Sequence, residues 1–468
     1  MTIQELIKSS GTNFGTSGVR GLETLLTDEL CSAYTEAFLA IFENGAFKRV
    51  ALGMDLRPSS PRIAKACAEA ILQCGFEIDF CGTLPTPALA FYAQEEKIPA
   101  IMVTGSHIPF DRNGIKFYRP DGEITKADEF AIINSQISVT STNSTTLPET
   151  NPKAITTYVE RYTNFFPKLT GLKLGLYEHS SVARDVFKDI LEQLGAKVVS
   201  LGRTDVFVPI DTEAVSPEDV ERGLTWSKEH GFDAIISTDG DGDRPLISDE
   251  NGVWLRGDIV GLLCADYLNV TQLVVPVSCN TAIEKSQKFK TVLRTKIGSP
   301  FVIEGMQALN SENGAIAGFE ANGGFLLQSE IPNLKPLPTR DAVLPALTIL
   351  AAACEKNCTI SHLLNTLPKR FTASDRLQNF PNEQSRNLID SIIKNPALIN
   401  SFFPKNAFQI VNQDLTDGLR LTLSNGDCVH LRPSGNAPEL RCYAEAETQL
   451  CANELVKTCL SAIKSQVI

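Results

Sequence analysis

The segment Asp239-Gly240-Asp241-Gly242-Asp243-Arg244 alternates three carboxylates with two glycines. Acids at i, i+2 and i+4 suit a hard divalent cation such as Mg²⁺ or Ca²⁺. The glycines let the backbone turn tightly enough for the side chains to converge. A calcium loop of the EF-hand kind would draw on Asp239, Asp241, Asp243 and, twelfth, Glu250, and all four acids are present. It would also need glycine at its sixth position, where Arg244 stands before Pro245, and a helix where the preceding residues read as a strand. A catalytic metal site is the better reading, with a solvated acidic turn as the bland alternative.

A second loop, Thr104-Gly105-Ser106-His107-Ile108-Pro109, is followed by Asn113-Gly114-Ile115-Lys116. A serine at a strand end can accept a phosphoryl group when a metal and fixed cations neutralise the charge. It is no hydrolase elbow, because Gly-x-Ser-x-Gly is absent. Gly15-Thr16-Ser17-Gly18-Val19-Arg20-Gly21 is glycine-rich with one cation, and matches neither Walker A nor Gly-x-Gly-x-x-Gly. Arg432-Pro433-Ser434-Gly435-Asn436 offers a guanidinium, a hydroxyl and backbone N–H groups, a combination suited to phosphate. Taken singly, each of these three loops also reads as an ordinary turn. The twelve cysteines include no Cys-x-x-Cys pair. Cys354 and Cys358, expected on one helix with His362 nearby, find no fourth ligand, so buried reduced thiols are expected instead.

These loops need elements to hold them. Residues 51–82 read strand, helix, strand, and so do 174–202; Gly75 and Gly82, like Gly195 and Gly202, lie seven apart. A weaker copy spans 273–298. Such crossovers build parallel sheets flanked by helices. After each copy an apolar strand empties into a polar loop: 100–103 into the serine loop, 232–237 into the aspartate loop, and 315–318 into Phe319-Glu320-Ala321-Asn322-Gly323-Gly324. Open α/β sheets bind ligands beyond the carboxyl ends of their strands. The C-terminal hundred residues differ. Leu419–Leu423 and Cys428–Arg432 alternate about Ser424-Asn425-Gly426-Asp427, a hairpin signal, and a helix is expected over 449–465. The Ser/Thr/Asn/Pro-rich stretch 140–152 reads as a linker.

Composition sets the outer limits. The chain has 468 residues, 43% apolar and 21% charged, which excludes disordered, collagen-like and coiled-coil classes. Its formal charge of −12 makes nucleic acid and anionic membranes poor partners. The longest apolar run, 342–354, is short of the ~20 residues a bilayer helix needs. No leader is evident at the N-terminus, so a cytoplasmic protein is expected.

Together the loops and their order resemble the α-D-phosphohexomutase superfamily, the phosphoglucomutase and phosphomannomutase enzymes, over nearly the whole chain. The resemblance implies three similar mixed-sheet α/β domains and a C-terminal α+β domain around a central cleft. The expected limits are 1–150 for the phosphoserine loop, 151–255 for the metal loop, 256–370 for the sugar loop and 371–468 for phosphate binding. It implies that hexose 1- and 6-phosphates, of mannose or glucose, are interconverted through a phosphoserine and a 1,6-bisphosphate. Ser106 matches the serine that carries phosphate. Asp239, Asp241 and Asp243 match the Mg²⁺ ligands, with the Ser106 phosphate completing the site. Arg20 and Arg244 match cations at the reacting phosphoryl group, and Lys116 a general acid/base, with His107 in the same motif. Lys296, Glu320 and Asn322 match substrate contacts. Arg432, Ser434, Gly435 and Asn436 match the site of the non-reacting phosphate. Mg²⁺, a bisphosphate activator and a monomer or weak dimer are expected. The chain departs from the pattern at Gly105, where Ala is common, at Ile108, at Pro245, and at Gly324, where the glucose/mannose enzymes have His. A phosphoglucosamine mutase and a metal-dependent sugar-phosphate phosphatase are the alternatives, with a non-catalytic sugar-phosphate binder behind them.

Overall fold

The computed structural model describes residues 1–468 apart from 16–17, 44, 140–144, 396–397, 399–408, 435–437 and 468. They divide into two compact units, Met1–Thr271 with Gly298–Leu363, and Gln272–Ile297 with Leu364–Ile468.

The first unit opens with β1 (Asn13–Phe14), β2 (Val19–Leu22), β3 (Arg49–Met54), β4 (Glu77–Thr83), β5 (Ala100–Val103), β6 (Arg112–Arg119) and β7 (Gly122–Glu123). They form one seven-stranded sheet in the order β1-β2-β6-β5-β3-β4, with β7 on β6. β4, β3 and β5 are parallel; β6, β2 and β1 run antiparallel. The parallel part follows from the expected crossover. Helix Ser60–Gln73 connects β3 to β4 and starts with proline in its first turn; Gly75, at φ +82°, lets the chain leave it. All four residues of β5 are buried and apolar, as befits an interior strand.

β8 (Lys173–Tyr177), β9 (Lys197–Leu201), β10 (Ala234–Thr238) and β11 (Pro245–Ile247) make a second sheet, ordered β11-β10-β8-β9. β8 is parallel to β9 and β10, while β11 folds back antiparallel on β10, pairing Thr238 with Pro245. The aspartate segment is therefore the turn of an edge hairpin. Pro245 opens an edge strand, where its missing N–H is tolerated.

β12 (Gln272–Pro276) and β13 (Thr291–Thr295) pair in parallel and belong to the second unit. The helix between them is a single turn, Ala282–Lys285, which is why this third copy of the repeat is faint in the sequence. β14 (Ile316–Phe319), β15 (Phe325–Leu327) and β16 (Leu337–Asp341) return to the first unit as an antiparallel run, with residues 320–324 as the turn between β14 and β15. The apolar run expected over 342–354 is helix Val343–Glu355, almost wholly buried. Cys354 lies on that helix but Cys358 does not: the helix stops at Glu355 and Asn357 takes φ +48°. Most cysteines are buried, as expected, though Cys74 and Cys451 are exposed.

The second unit is completed by β17 (Phe371–Gln378), β18 (Ile410–Asp414), β19 (Leu419–Leu423), β20 (Cys428–Pro433) and β21 (Glu439–Ala446), an antiparallel sheet ordered β17-β21-β20-β19-β18. The expected Asn-Gly hairpin joins β19 to β20, with Gly426 at φ +83°. Leu419, Leu421, Leu423, Val429 and Leu431 face a core shared with Ile463 of helix Gln449–Val467. Among the described residues no helix is long and apolar enough to cross a membrane.

Candidate active site

The serine loop leaves β5 under strain that its neighbours hold. Ser106 takes φ +51°, a region costly for a residue with a Cβ. Its N–H donates to Thr104 Oγ1 at 2.9 Å. Beneath the loop lies Arg57, only 1% exposed. Its guanidinium donates to four carbonyls: Ser106 at 2.9 Å, Ile108 at 2.6 Å, Pro109 at 2.7 Å and Arg112 at 2.8 Å. Asp55 faces Arg57 Nε at 3.4 Å and accepts from the Gly105 N–H at 3.1 Å and Ser60 Oγ at 2.5 Å. A Cβ on Gly105 would stand 2.4 Å from the Arg57 guanidinium carbon, which accounts for glycine where alanine is common.

The aspartate turn meets this loop. Ser106 Oγ donates to Asp239 Oδ2 at 2.6 Å. Asp239 Oδ1 accepts from the backbone N–H of Asp243 and Arg244, at 3.2 and 3.3 Å. Asp241 Oδ2 accepts from Thr86 Oγ1 and from Lys116 Nζ, both at 2.6 Å. Lys116 Nζ also donates to Asp243 Oδ2 at 2.8 Å. Gly240 lets the two loops touch, since a Cβ there would be 2.7 Å from the Ser106 carbonyl oxygen.

The three aspartates are fully or almost fully buried, and one carboxylate oxygen of each lies within 4.8 Å of the others. Asp241 Oδ1 and Asp243 Oδ1 are buried without a hydrogen-bond partner. Burial, and then Asp241 and Asp243, push the Asp239 carboxyl well above its ordinary range. Orphaned hard oxygens and crowded acids are what a divalent cation relieves, so the residues fit such an ion. Among the described residues this is the one cluster of three or more acidic, histidine or cysteine side chains that could hold a metal; Cys354, Cys358 and His362 form none.

The cations differ in state. Burial opposes the charge on Lys116, but Asp241 and Asp243 outweigh it and raise its pKa, so Nζ keeps its proton. Arg244 Nη1 donates to His107 Nδ1 at 2.8 Å. An arginine only donates, so Nδ1 accepts and the imidazole proton sits on Nε2. Arg244, burial and Arg20 drive the His107 pKa down to about 2, leaving a neutral ring. Arg20, on β2 opposite Gly114, is lowered to about 10 by burial and by Arg244 and Arg340.

The turn between β14 and β15 carries Glu320 and Asn322, both buried. Asn322 Oδ1 accepts from the Gly324 N–H at 3.0 Å. Glu320 Oε2 accepts from Arg340 Nη1 at 3.0 Å, and Arg340 reaches Asp243 Oδ2 through Nε at 3.1 Å and Nη2 at 2.8 Å. One arginine thus joins the β14–β15 turn to the aspartate turn. Hydrogen bonds in the first unit link Ser106, His107, Arg244, Lys116, the three aspartates and Glu320; Arg20 is placed by its charge beside them, and Asn322 by its loop.

The remaining expected residues belong to the second unit. Arg432, on β20, pairs its Nε with Asp417 Oδ2 at 2.9 Å, and the same Oδ2 accepts from the Ile297 N–H at 3.0 Å, next to exposed Lys296. Ser434 is buried and its N–H donates to the Glu439 carbonyl at 2.9 Å. Gly435 and Asn436 lie outside the described residues. Sequence reading missed Asp55, Arg57, Thr86 and Arg340. The first two follow β3 in a strand-end loop, where the carboxyl-end rule could have found them; Arg340 carries no local signal.

Four domain descriptions of phosphoglucomutase/phosphomannomutase match the chain: α/β/α domain I over 11–143, domain II over 156–252, domain III over 256–371 and the C-terminal domain over 390–459. A phosphomannomutase of Salmonella muenchen is 51% identical, covering 99% of this chain and 98% of that protein. A phosphomannomutase of Sinorhizobium fredii is 42% identical, over 98% and 100%. A phosphoglucosamine mutase of Geotalea daltonii is 30% identical, over 76% and 80%. The crystal structure of a phosphoglucomutase/phosphomannomutase family protein from Burkholderia thailandensis shares the fold, with a TM-score of 0.77 at 20% identity over 99% and 98% of the chains.

Proposed function

The chain belongs to the phosphoglucomutase/phosphomannomutase family, and from that premise we propose a phosphomannomutase that interconverts mannose 1- and 6-phosphate and also accepts glucose phosphates. It is an isomerase, an intramolecular phosphotransferase. The observation that carries the reading is Ser106 Oγ, buried and bonded to Asp239 inside a three-aspartate cluster. Whole-chain likeness to two phosphomannomutases supports mannose ahead of glucosamine.

Phosphoryl transfer needs positioning and charge neutralisation more than covalent ingenuity. Ser106 carries the phosphoryl group. Its P–O bond breaks as a bond forms to the free sugar hydroxyl, giving a hexose 1,6-bisphosphate. That intermediate turns round, and its other phosphoryl group returns to Ser106. Asp239, Asp241 and Asp243, with Ser106, would hold Mg²⁺, which supplies Lewis-acid stabilisation of the transferring group. Arg20 and Arg244 neutralise its remaining charge. Protonated Lys116 donates a proton to Ser106 Oγ as its P–O bond breaks and regains one from the attacking sugar hydroxyl, so the proton lost by the sugar ends on the serine. Neutral His107 orients Arg244 by accepting its hydrogen bond. Glu320 and Asn322 address ring hydroxyls. Lys296 contacts the substrate, and Arg432, Ser434, Gly435 and Asn436 hold the phosphate that is not reacting. The four-domain division at about residues 150, 255 and 370, a monomer or weak dimer and a cytoplasmic location complete the proposal.

Mannose, glucose and glucosamine 1-phosphates, each with a trace of bisphosphate primer and Mg²⁺, test it. The expected result is 6-phosphate product, fastest from mannose. Inorganic phosphate released without 6-phosphate product would replace the mutase by a phosphatase, and fastest turnover of glucosamine 1-phosphate would replace mannose.

A further inference from the structure

Gly324 stands where the glucose/mannose enzymes that the sequence resembles have histidine. The space above that glycine is filled. A Cβ built there lies 2.8, 2.9 and 3.1 Å from Cδ, Cγ and Cβ of Arg340. The Arg340 stem lies against the Gly324 backbone, and its guanidinium lies beyond. Arg340 is 2% exposed and belongs to β16, next to β15. Burying an arginine this deeply is tolerated only against carboxylates of good geometry. It meets Asp243, which takes two donors, and Glu320.

We propose that Arg340 is a positioning residue for sugar recognition. It clamps the Glu320 carboxylate in one rotamer against the metal-side Asp243, and Gly324 is the vacancy that lets its stem pass. The proposal rests on the mutase reading, in which Glu320 meets ring hydroxyls. The geometry is one-sided in a useful way. Glu320 spends Oε2 on Arg340, so the carboxylate's orientation is fixed before substrate arrives. A preorganised acceptor loses less conformational freedom on binding than a mobile one. The same guanidinium fixes Asp243, so the sugar acceptor and the metal ligand share one rigid support. A side chain at 324 would push the stem aside, and with the stem displaced the guanidinium could not keep its present geometry to both acids.

A double-mutant cycle on the full-length, Mg²⁺-loaded protein tests this, with mannose 1-phosphate as substrate. Arg340→Met should raise KM and lower kcat/KM on the order of 10–100-fold, the usual cost of losing an outer partner. Glu320→Gln should do the same. The double variant should be little worse than either, since both remove one function. Arg340→Lys, which keeps the charge, should recover part of the loss, and Gly324→Ala should reproduce the raised KM with Arg340 still present. Melting temperatures show which variants fold. If Arg340→Met does not fold, Gly324→Ala and Arg340→Lys decide. Additive losses in the cycle, or Gly324→Ala with an unchanged KM, overturn the proposal while the mutase reading stands. A wild-type protein inactive on every hexose 1-phosphate overturns both.

Discussion

Arg340 and Arg432 each stand one residue before the end of a strand and both face carboxylates, yet they are kept differently. Arg340 is 2% exposed and committed to two acids. Arg432 is 19% exposed and pairs with Asp417. Around the first, Lys116, Asp241 and Asp243 are equally enclosed. The contrast follows from the order of events. Groups that must be charged and placed before substrate arrives need permanent partners, because a lone buried charge is prohibitive. On the proposed function, Arg432 awaits the substrate's own phosphate and so keeps access to water until that partner comes.

Removing the serine tests the enclosed region most severely. Ser106→Ala should lower turnover by ~10⁴-fold or more, the scale of losing a covalent nucleophile, and intact-mass spectrometry should find no protein-bound phosphate. Retained turnover would mean that the aspartate cluster is not where the chemistry occurs.

Lys116→Met comes next. It strips a cation from two buried carboxylates and should destabilise the fold by about 3–5 kcal/mol in denaturant titrations. Excess Mg²⁺ should restore part of that loss, because an ion bound only to the native state adds stability. No recovery would argue against the metal site.

Arg432→Ala sharpens the other side. A charge-assisted contact is worth roughly 1.5–3 kcal/mol, so kcat/KM should fall about tenfold to a hundredfold, since ~1.4 kcal/mol is a factor of ten. Mannose and glucose phosphates should suffer alike, with the melting temperature and the Ser106 phosphate unchanged. A changed preference between the sugars would mean that this loop reads sugar rather than phosphate.

The smallest effect is shared. His179 in the first unit and His430 in the second are both lowered by burial to about 4, from 6.5. An unfolded chain therefore takes up protons below about pH 6.5 that the native chain refuses. This cost is absent above pH 6.5 and grows as pH falls toward 4. At pH 5.5 each should contribute roughly 1 kcal/mol of lost stability. His179→Gln should flatten that part of the pH–stability curve. An unaltered curve would place the acid sensitivity elsewhere.

Much of this was legible in the residues. The alternating aspartates, the serine loop and the Asn-Gly hairpin are local patterns, and local patterns dictate local structure. Two crossovers announced themselves through glycines at helix ends. Arg57 and Arg340 were silent because their meaning is entirely non-local: Arg57 meets Ser106 across 49 positions, and Arg340 meets Asp243 across 97. Their traces were nonetheless present. Gly105 and Gly324 stood out as exceptions to a pattern, and each proves to be the place where an arginine needs the room of a missing Cβ.

The left-handed backbone at Ser106 has a consequence for how the protein evolved. A residue with a Cβ at φ +51° carries a conformational cost of roughly 1–3 kcal/mol. Glycine would relieve it, so Ser106→Gly should be more stable than Ser106→Ala by about 1 kcal/mol, although both lose the same hydroxyl. The two variants separate the backbone's cost from the side chain's, and equal stabilities would show that no strain is stored there. Selection for stability alone would favour glycine at 106; the serine persists as a trade of stability for reactivity.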